Sequence, residues 1–165
     1  MTGKFVKVLF DVDPEDDWDG QGGPETVWAE PIEGKEGEHF RIMNSPFHAK
    51  GVSFLDVVKA SFLAGSNLVF NFETVVERGG HSTFVLFMTA DDPRNEAYWN
   101  MLERMGCSYE SGTIVSDDGE RLLYSVDVPP TTDIHDVYEM LERGNADNVW
   151  IFQEGFVSPA HKTQD

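Results

Sequence analysis

Gly79-Gly80-His81-Ser82 places a histidine and a hydroxyl at the start of a strand, behind two glycines that let both side chains approach a ligand closely. An imidazole beside a hydroxyl is half of an activated nucleophile. The other half is missing, because the chain contains no Gly-x-Ser-x-Gly elbow. His81 and Ser82, with His48, therefore form a candidate ligand site rather than a catalytic one, and Gly79-Gly80 reads as a turn joining two units. His39, His135 and His161 complete the histidines. No two of the five have a His-x-His, His-x-x-x-His or His-Glu-x-x-His spacing, so a metal centre would need assembly from distant segments. No metal and no cofactor are expected. Cys107, the single cysteine, follows a helix-stopping glycine without a basic neighbour to activate it, and reads as core.

Carboxylates are the dominant chemical group. Thirty acidic residues stand against twelve basic ones, a net charge of −18 in 165 residues. Solubility asks for a magnitude of only roughly 2–8 in a small domain. Such a field repels phosphate backbones, which excludes DNA or RNA as a direct ligand and favours a basic protein partner. Asp13, Asp16, Asp17 and Asp19 crowd one segment around Trp18. Glu15-x-Asp17-x-Asp19-Gly20 has the spacing of the first half of a calcium loop, but the closing glutamate should fall at Thr26 and Glu25 sits one residue early. The segment reads instead as a partner-binding arm, its aspartates steering and Trp18 anchoring. Gly20-Gln21-Gly22-Gly23 lies among these carboxylates and cannot cradle a phosphate.

The elements that must position these groups are legible from periodicity. Phe5–Phe10 reads as a strand leading into the irregular acidic arm. Glu25–Pro31 and His39–Met43 read as strands around a turn at 33–37. Val57–Leu63 and Leu68–Val76 form a hairpin around Ala64-Gly65-Ser66-Asn67, although 51–60 also suits a short helix. Beyond Gly80 the order is strand, helix, strand, strand, helix, strand. Asp92 caps the first helix, with Tyr98, Met101, Leu102 and Met105 inward and Gly106 as its stop; Thr132 caps the second, with Ile134, Val137, Tyr138 and Leu141 inward and Gly144 as its stop. The expected fold class is α+β: an acidic arm plus a small antiparallel β unit over residues 1–78, a ferredoxin-like βαββαβ unit over 79–157, and a flexible tail over 158–165. No stretch reaches the ~18–20 apolar residues of a membrane span, and one cysteine suits a reducing cytoplasm, so no membrane association is expected.

Val27-Trp28-Ala29-Glu30, Phe40-Arg41-Ile42-Met43-Asn44-Ser45-Pro46-Phe47, Gly51-Val52-Ser53-Phe54-Leu55-Asp56-Val57-Val58 and Gly80-His81-Ser82-Thr83 together resemble the bacterial family known as domain of unknown function 4265. The likeness continues more loosely through Leu141-Glu142-Arg143-Gly144 and Trp150. Leu55 departs from the pattern, which has glycine before Asp-Val-Val. The resemblance implies a small bacterial cytosolic protein and carries no activity or catalytic residue with it.

The expected function is that of an acidic, non-enzymatic binding module, a stoichiometric inhibitor or immunity-type protein that neutralises a basic partner such as a bacterial toxin domain. A small-molecule-sensing regulatory domain and a hydrolase working near His48 and His81 are the alternative readings.

Overall fold

Alternating apolar residues build the first sheet, as the two-residue period of a strand dictates. In β1 (Val6–Val12) the buried positions are Val6, Val8, Phe10 and Val12. β1 runs antiparallel to β2 (Gly23–Pro31), which buries Val27 and Ala29, and β2 pairs with β3 (His39–Ile42), which buries Phe40 and Ile42. β4 (Val57–Phe62) and β5 (Val69–Glu77) complete the set, with Phe40 against Phe70 and Phe10 against Phe72 at ring centroid distances of 4.6 Å. The computed structural model describes residues 5–17, 21–116 and 119–163. β5 then returns to β1 and pairs with it in parallel, Lys7 opposite Val69, which closes a five-stranded barrel in the order β1-β2-β3-β4-β5.

The second half is a four-stranded sheet ordered β7-β8-β6-β9, from β6 (Ser82–Thr89), β7 (Ser108–Ser116), β8 (Gly119–Val128) and β9 (Trp150–Phe156). α1 (Asn95–Arg104) and α2 (Ile134–Ala146) cover one face, burying Phe84, Leu86, Met88, Val126 and Trp150 with Leu102, Val137 and Leu141. Among the described residues no helix is long and apolar enough to cross a membrane.

The expected fold class is corrected by these sheets. The described residues are mostly β, 44% strand against 20% helix. Its first half is a closed barrel with a parallel seam and not a small antiparallel unit. Its second half is not a ferredoxin-like unit standing by itself, because part of the face away from the helices is taken up by barrel residues. Ser125 Oγ donates to the Pro46 carbonyl at 2.6 Å, the Ser53 and Thr83 hydroxyls pair, and the Phe47 ring lies against Gly112. Thr83, Ser125 and Asp127, polar residues of β6 and β8, are each buried at this seam.

Helix boundaries move for identifiable reasons. Asp92 is held by Arg94, whose hydrogen bonds keep its carboxyl below its ordinary value, and Arg94 occupies the cap position. The buried face of α1 consequently includes Trp99 and Leu102, while Met101 is exposed. Asp133, not Thr132, caps α2, its carboxylate accepting from His135 N at 2.8 Å; Thr132 instead ties down the end of α1 through Met105 O. Tyr138 is exposed and Met140 buried. The stretch expected to trail as a tail is docked: α3 (Pro159–Lys162) buries His161 completely.

Leu55 has φ of 68°, the left-handed region that glycine adopts without a steric penalty. Leu55→Gly should therefore be more stable than Leu55→Ala by about 1 kcal/mol, the reverse of the usual order. Thermal melts of the two variants decide this: a melting point for the glycine variant roughly 2–4 °C higher is expected, and equal or inverted values would refute it.

Candidate functional site

The segment from Met43 to Ala49 leaves β3 and crosses from the barrel to the second sheet. Irregular backbone at a buried seam must find partners for its amides. Two glutamates supply them, one from each sheet. Glu25 on β2 accepts from the N–H groups of Phe47 (2.7 Å), His48 (3.0 Å) and Ala49 (2.7 Å). Glu110 on β7 accepts from Asn44 Nδ2 at 3.0 Å and from Ser45 N. The Asn44 side-chain oxygen in turn accepts from Trp28 N at 2.7 Å. These carboxylates have the aspect of solvated strand residues in the sequence and act as clamps in the structure.

A second knot lies beside the turn at 79–80. Asp56, fully buried, accepts from Ser53 N, Gly79 N and the Arg78 guanidinium. Arg78 also donates to Gly51 O at 2.7 Å and lies over the Phe156 ring at 4.0 Å. A Cβ on Gly79 would stand 2.6 Å from Leu55 O, so that position admits only glycine.

The structure distributes His48, His81 and Ser82 among three separate partners. His48 Nδ1 is 2.9 Å from Asp17 Oδ1. His81 Nδ1 is 2.8 Å from Asp127 Oδ1, with Phe54 edge-on to the ring at 5.4 Å. Ser82 is fully buried against His161. His161 Nε2 donates to Pro129 O at 2.8 Å, so in the neutral ring Nδ1 accepts the Ser82 proton, while Ser82 Oγ accepts from Ser158 N. This serine–histidine pair resembles a nucleophile and its base, but no substrate reaches a serine and a histidine with zero exposure. It docks α3. Burial pushes the Cys107 thiol up to about 12, which removes it as a thiolate near neutral pH.

The acidic arm is also redistributed. Asp13 caps the 3-10 turn over Pro14–Asp16, its side chain accepting from Glu15 N, and Asp16 is exposed. Asp17 turns inward, 8% exposed, and accepts from Gly22 N as well as facing His48, so it fastens the segment rather than steering a partner. Trp18 and Asp19 lie outside the described residues. Among the described residues no three His, Cys, Asp or Glu side chains group to hold a metal ion.

The seam encloses a cleft of about 190 Å³. Its polar lining is Asn44, Ser45, Ser108, Glu110, Ser125 and Asp127, and its apolar surface comes from Met43, Phe54 and Tyr109. Tyr109 stacks on Tyr124 with ring centroids 3.9 Å apart, and burial together with a hydrogen bond to Tyr109 pushes the Tyr124 phenol up to about 12. Ser45 is 4% exposed and its hydroxyl has no hydrogen-bond partner among the described residues. Next to the cleft, and sharing Met43, Asn44 and Glu110 with it, is an open trough flanked by Phe5 and Trp28. Sequence reasoning missed Ser45, Glu110 and Asp127 as site residues. The available signal was Asp127 within the apolar strand Val126-Asp127-Val128, where a charge must have a partner.

This architecture is similar to the solved structure of a hypothetical protein from Neisseria gonorrhoeae, with a TM-score of 0.67 over 96% of each chain and 15% sequence identity, a likeness of fold alone. No curated protein matches the chain. Neither the description of the structural relative nor that of the matching family names an enzymatic activity. The sequence pattern that does match spans residues 25–152, from the Glu25 clamp through the cleft to β9, and by it the chain belongs to the family described as domain of unknown function (DUF4265).

Proposed function

We propose that the protein is an acidic binding module that neutralises a basic protein partner, in the manner of a stoichiometric inhibitor or immunity-type protein, and not an enzyme. One observation carries this reading. Asp11, Asp13, Glu15 and Asp16 follow one another along an exposed edge, and among the described residues none of them forms an ion pair. In a chain of net charge −18 this ribbon is an unneutralised source of attraction for a positive surface. The serine–histidine pair and the cysteine, the groups that could attack a substrate, are buried and occupied or unactivated, which favours binding over covalent catalysis.

The test is a kinetic one. A basic protein retained on the immobilised chain at low salt and released near 0.5 M salt is purified and its association measured by surface plasmon resonance. Replacing Asp11, Asp13, Glu15 and Asp16 with their amides should slow association about tenfold and flatten its salt dependence, with little change in dissociation. An association rate indifferent to both salt and the substitutions would overturn the proposal.

A further inference from the structure

The cleft at the seam is rich in acceptors and poor in donors. Glu110 and Asp127 bring two carboxylates, and among the described residues no Lys or Arg lines the space. The Ser125 proton is committed to Pro46 O, so that hydroxyl presents only lone pairs. Ser45 adds a hydroxyl that is buried without a partner among the described residues, a group that costs free energy unless a ligand satisfies it. Phe54 and Tyr109 supply aromatic surface. A volume of about 190 Å³ is an order of magnitude above the ~10–15 Å³ that admits one water, so the space suits a group of several heavy atoms.

We infer that this cleft receives the guanidinium of an arginine side chain presented by the basic partner, an inference that rests on the binding-module reading above. A guanidinium has five N–H donors and no acceptor, the inverse of the lining, and its planar face stacks on aromatic rings. The adjoining trough completes the fit. An arginine carries its charge on an aliphatic stem that covers apolar surface, and Phe5, Trp28 and Met43 lie beside the cleft with Glu110 common to both spaces. Lys7 already rests over the Trp28 ring at 5.0 Å, which shows that this surface accepts a cation. The clamps make the cleft rigid: Glu110 is oriented by Asn44 and Ser45, and Asp127 by His81. Rigid acceptors cost less to order when the ligand arrives.

The experiment uses the whole chain and N-acetyl-arginine methylamide as probe, followed by amide and indole NMR shifts. Saturable shifts at Ser45 and Trp28 are expected, with the neutral citrulline analogue bound at least tenfold more weakly and the lysine analogue about threefold more weakly. Asp127→Asn keeps an acceptor for His81 but removes a charge, and should weaken the arginine probe about tenfold. Ser108→Trp, at an exposed strand position on the cleft, should block binding while leaving the clamps intact. Ser45→Ala removes only an unpartnered hydroxyl, so its fold is retained, and about threefold weaker binding is expected. Equal affinity for arginine and citrulline, shifts that do not saturate, or indifference to Ser108→Trp would each overturn the inference. The lysine analogue binding as tightly as arginine would overturn the guanidinium assignment. A basic partner that binds wild type and Ser108→Trp equally well would remove the cleft from the interface and leave the binding-module reading standing. A probe that binds while the steering substitutions do nothing to the partner would do the opposite.

Discussion

Gly144→Ala should destabilise the protein by about 3–4 kcal/mol, although alanine is the better helix former by about 1 kcal/mol. A Cβ at this position would overlap the Trp150 indole at Cε2 and Nε1. The indole has nowhere to retreat. It is 2% exposed, donates to Leu141 O at 2.8 Å, and meets Tyr98 edge-on at 5.9 Å. Accommodating the methyl means either moving the ring, at the cost of that hydrogen bond and its packing, or prising α2 away from the sheet. A fall in melting temperature of about 10 °C is expected for a chain of this size. Trp150→Phe in the same background supplies the control, since a smaller ring relieves the overlap and the two effects should not add. A Gly144→Ala protein that melts with wild type would show that the contact is not tight.

The second large effect belongs to Glu25. Glu25→Gln replaces a carboxylate that accepts from three successive amides with a group offering one oxygen and an NH₂ that confronts donors with a donor. Hydrogen bonds to a charged acceptor contribute about 1.5–3 kcal/mol each, so a loss of about 2–4 kcal/mol is expected after partial rearrangement. Hydrogen exchange should quicken first at Phe47, His48 and Ala49, because the segment loses its anchor before the barrel opens. Glu33→Gln, on an exposed turn, should change stability by less than about 0.5 kcal/mol. If the two variants are equally stable, the clamp is decorative.

Most of the strands were readable in the sequence, as were the pairings of neighbours in the chain, β2 with β3 and β4 with β5, but not the pairings between distant strands. Residues 68, 70 and 72 alternate with 69, 71 and 73, and β5 follows. The apolar period at Ile134, Val137 and Leu141 makes α2 equally plain, although Asp133 rather than Thr132 caps it. Barrel closure was invisible, since a parallel pairing of β1 with β5 leaves no local signal in either strand. Gly144 shows how a residue type is read wrongly. A glycine near a helix end is ordinarily a stop, yet here α2 continues to Ala146 and the glycine makes room for the indole of Trp150. Asp17, Glu25 and Glu110 were illegible for a related reason. A carboxylate that clamps backbone amides and one that faces water have the same letter, and only the fold distinguishes them. Within the candidate site, His48 and His81 stand out as residue types, but their partners Asp17 and Asp127 lie 31 and 46 residues away in sequence.

The parallel seam of the barrel also governs the order in which the chain can fold. The β4–β5 and β7–β8 hairpins are local and form without waiting for distant segments. β1 has β2 nearby, but its other neighbour stands about sixty positions downstream, and bringing them together means closing a long loop before any contact rewards it. During synthesis the first strand therefore waits, with one edge unpaired and Val6, Val8 and Phe10 lacking their cover, until β5 has been made. Barrel closure is therefore expected late, as is the β6–β9 pairing across a similar separation, and the interval before it leaves the β1 edge open to pairing with another copy of the chain.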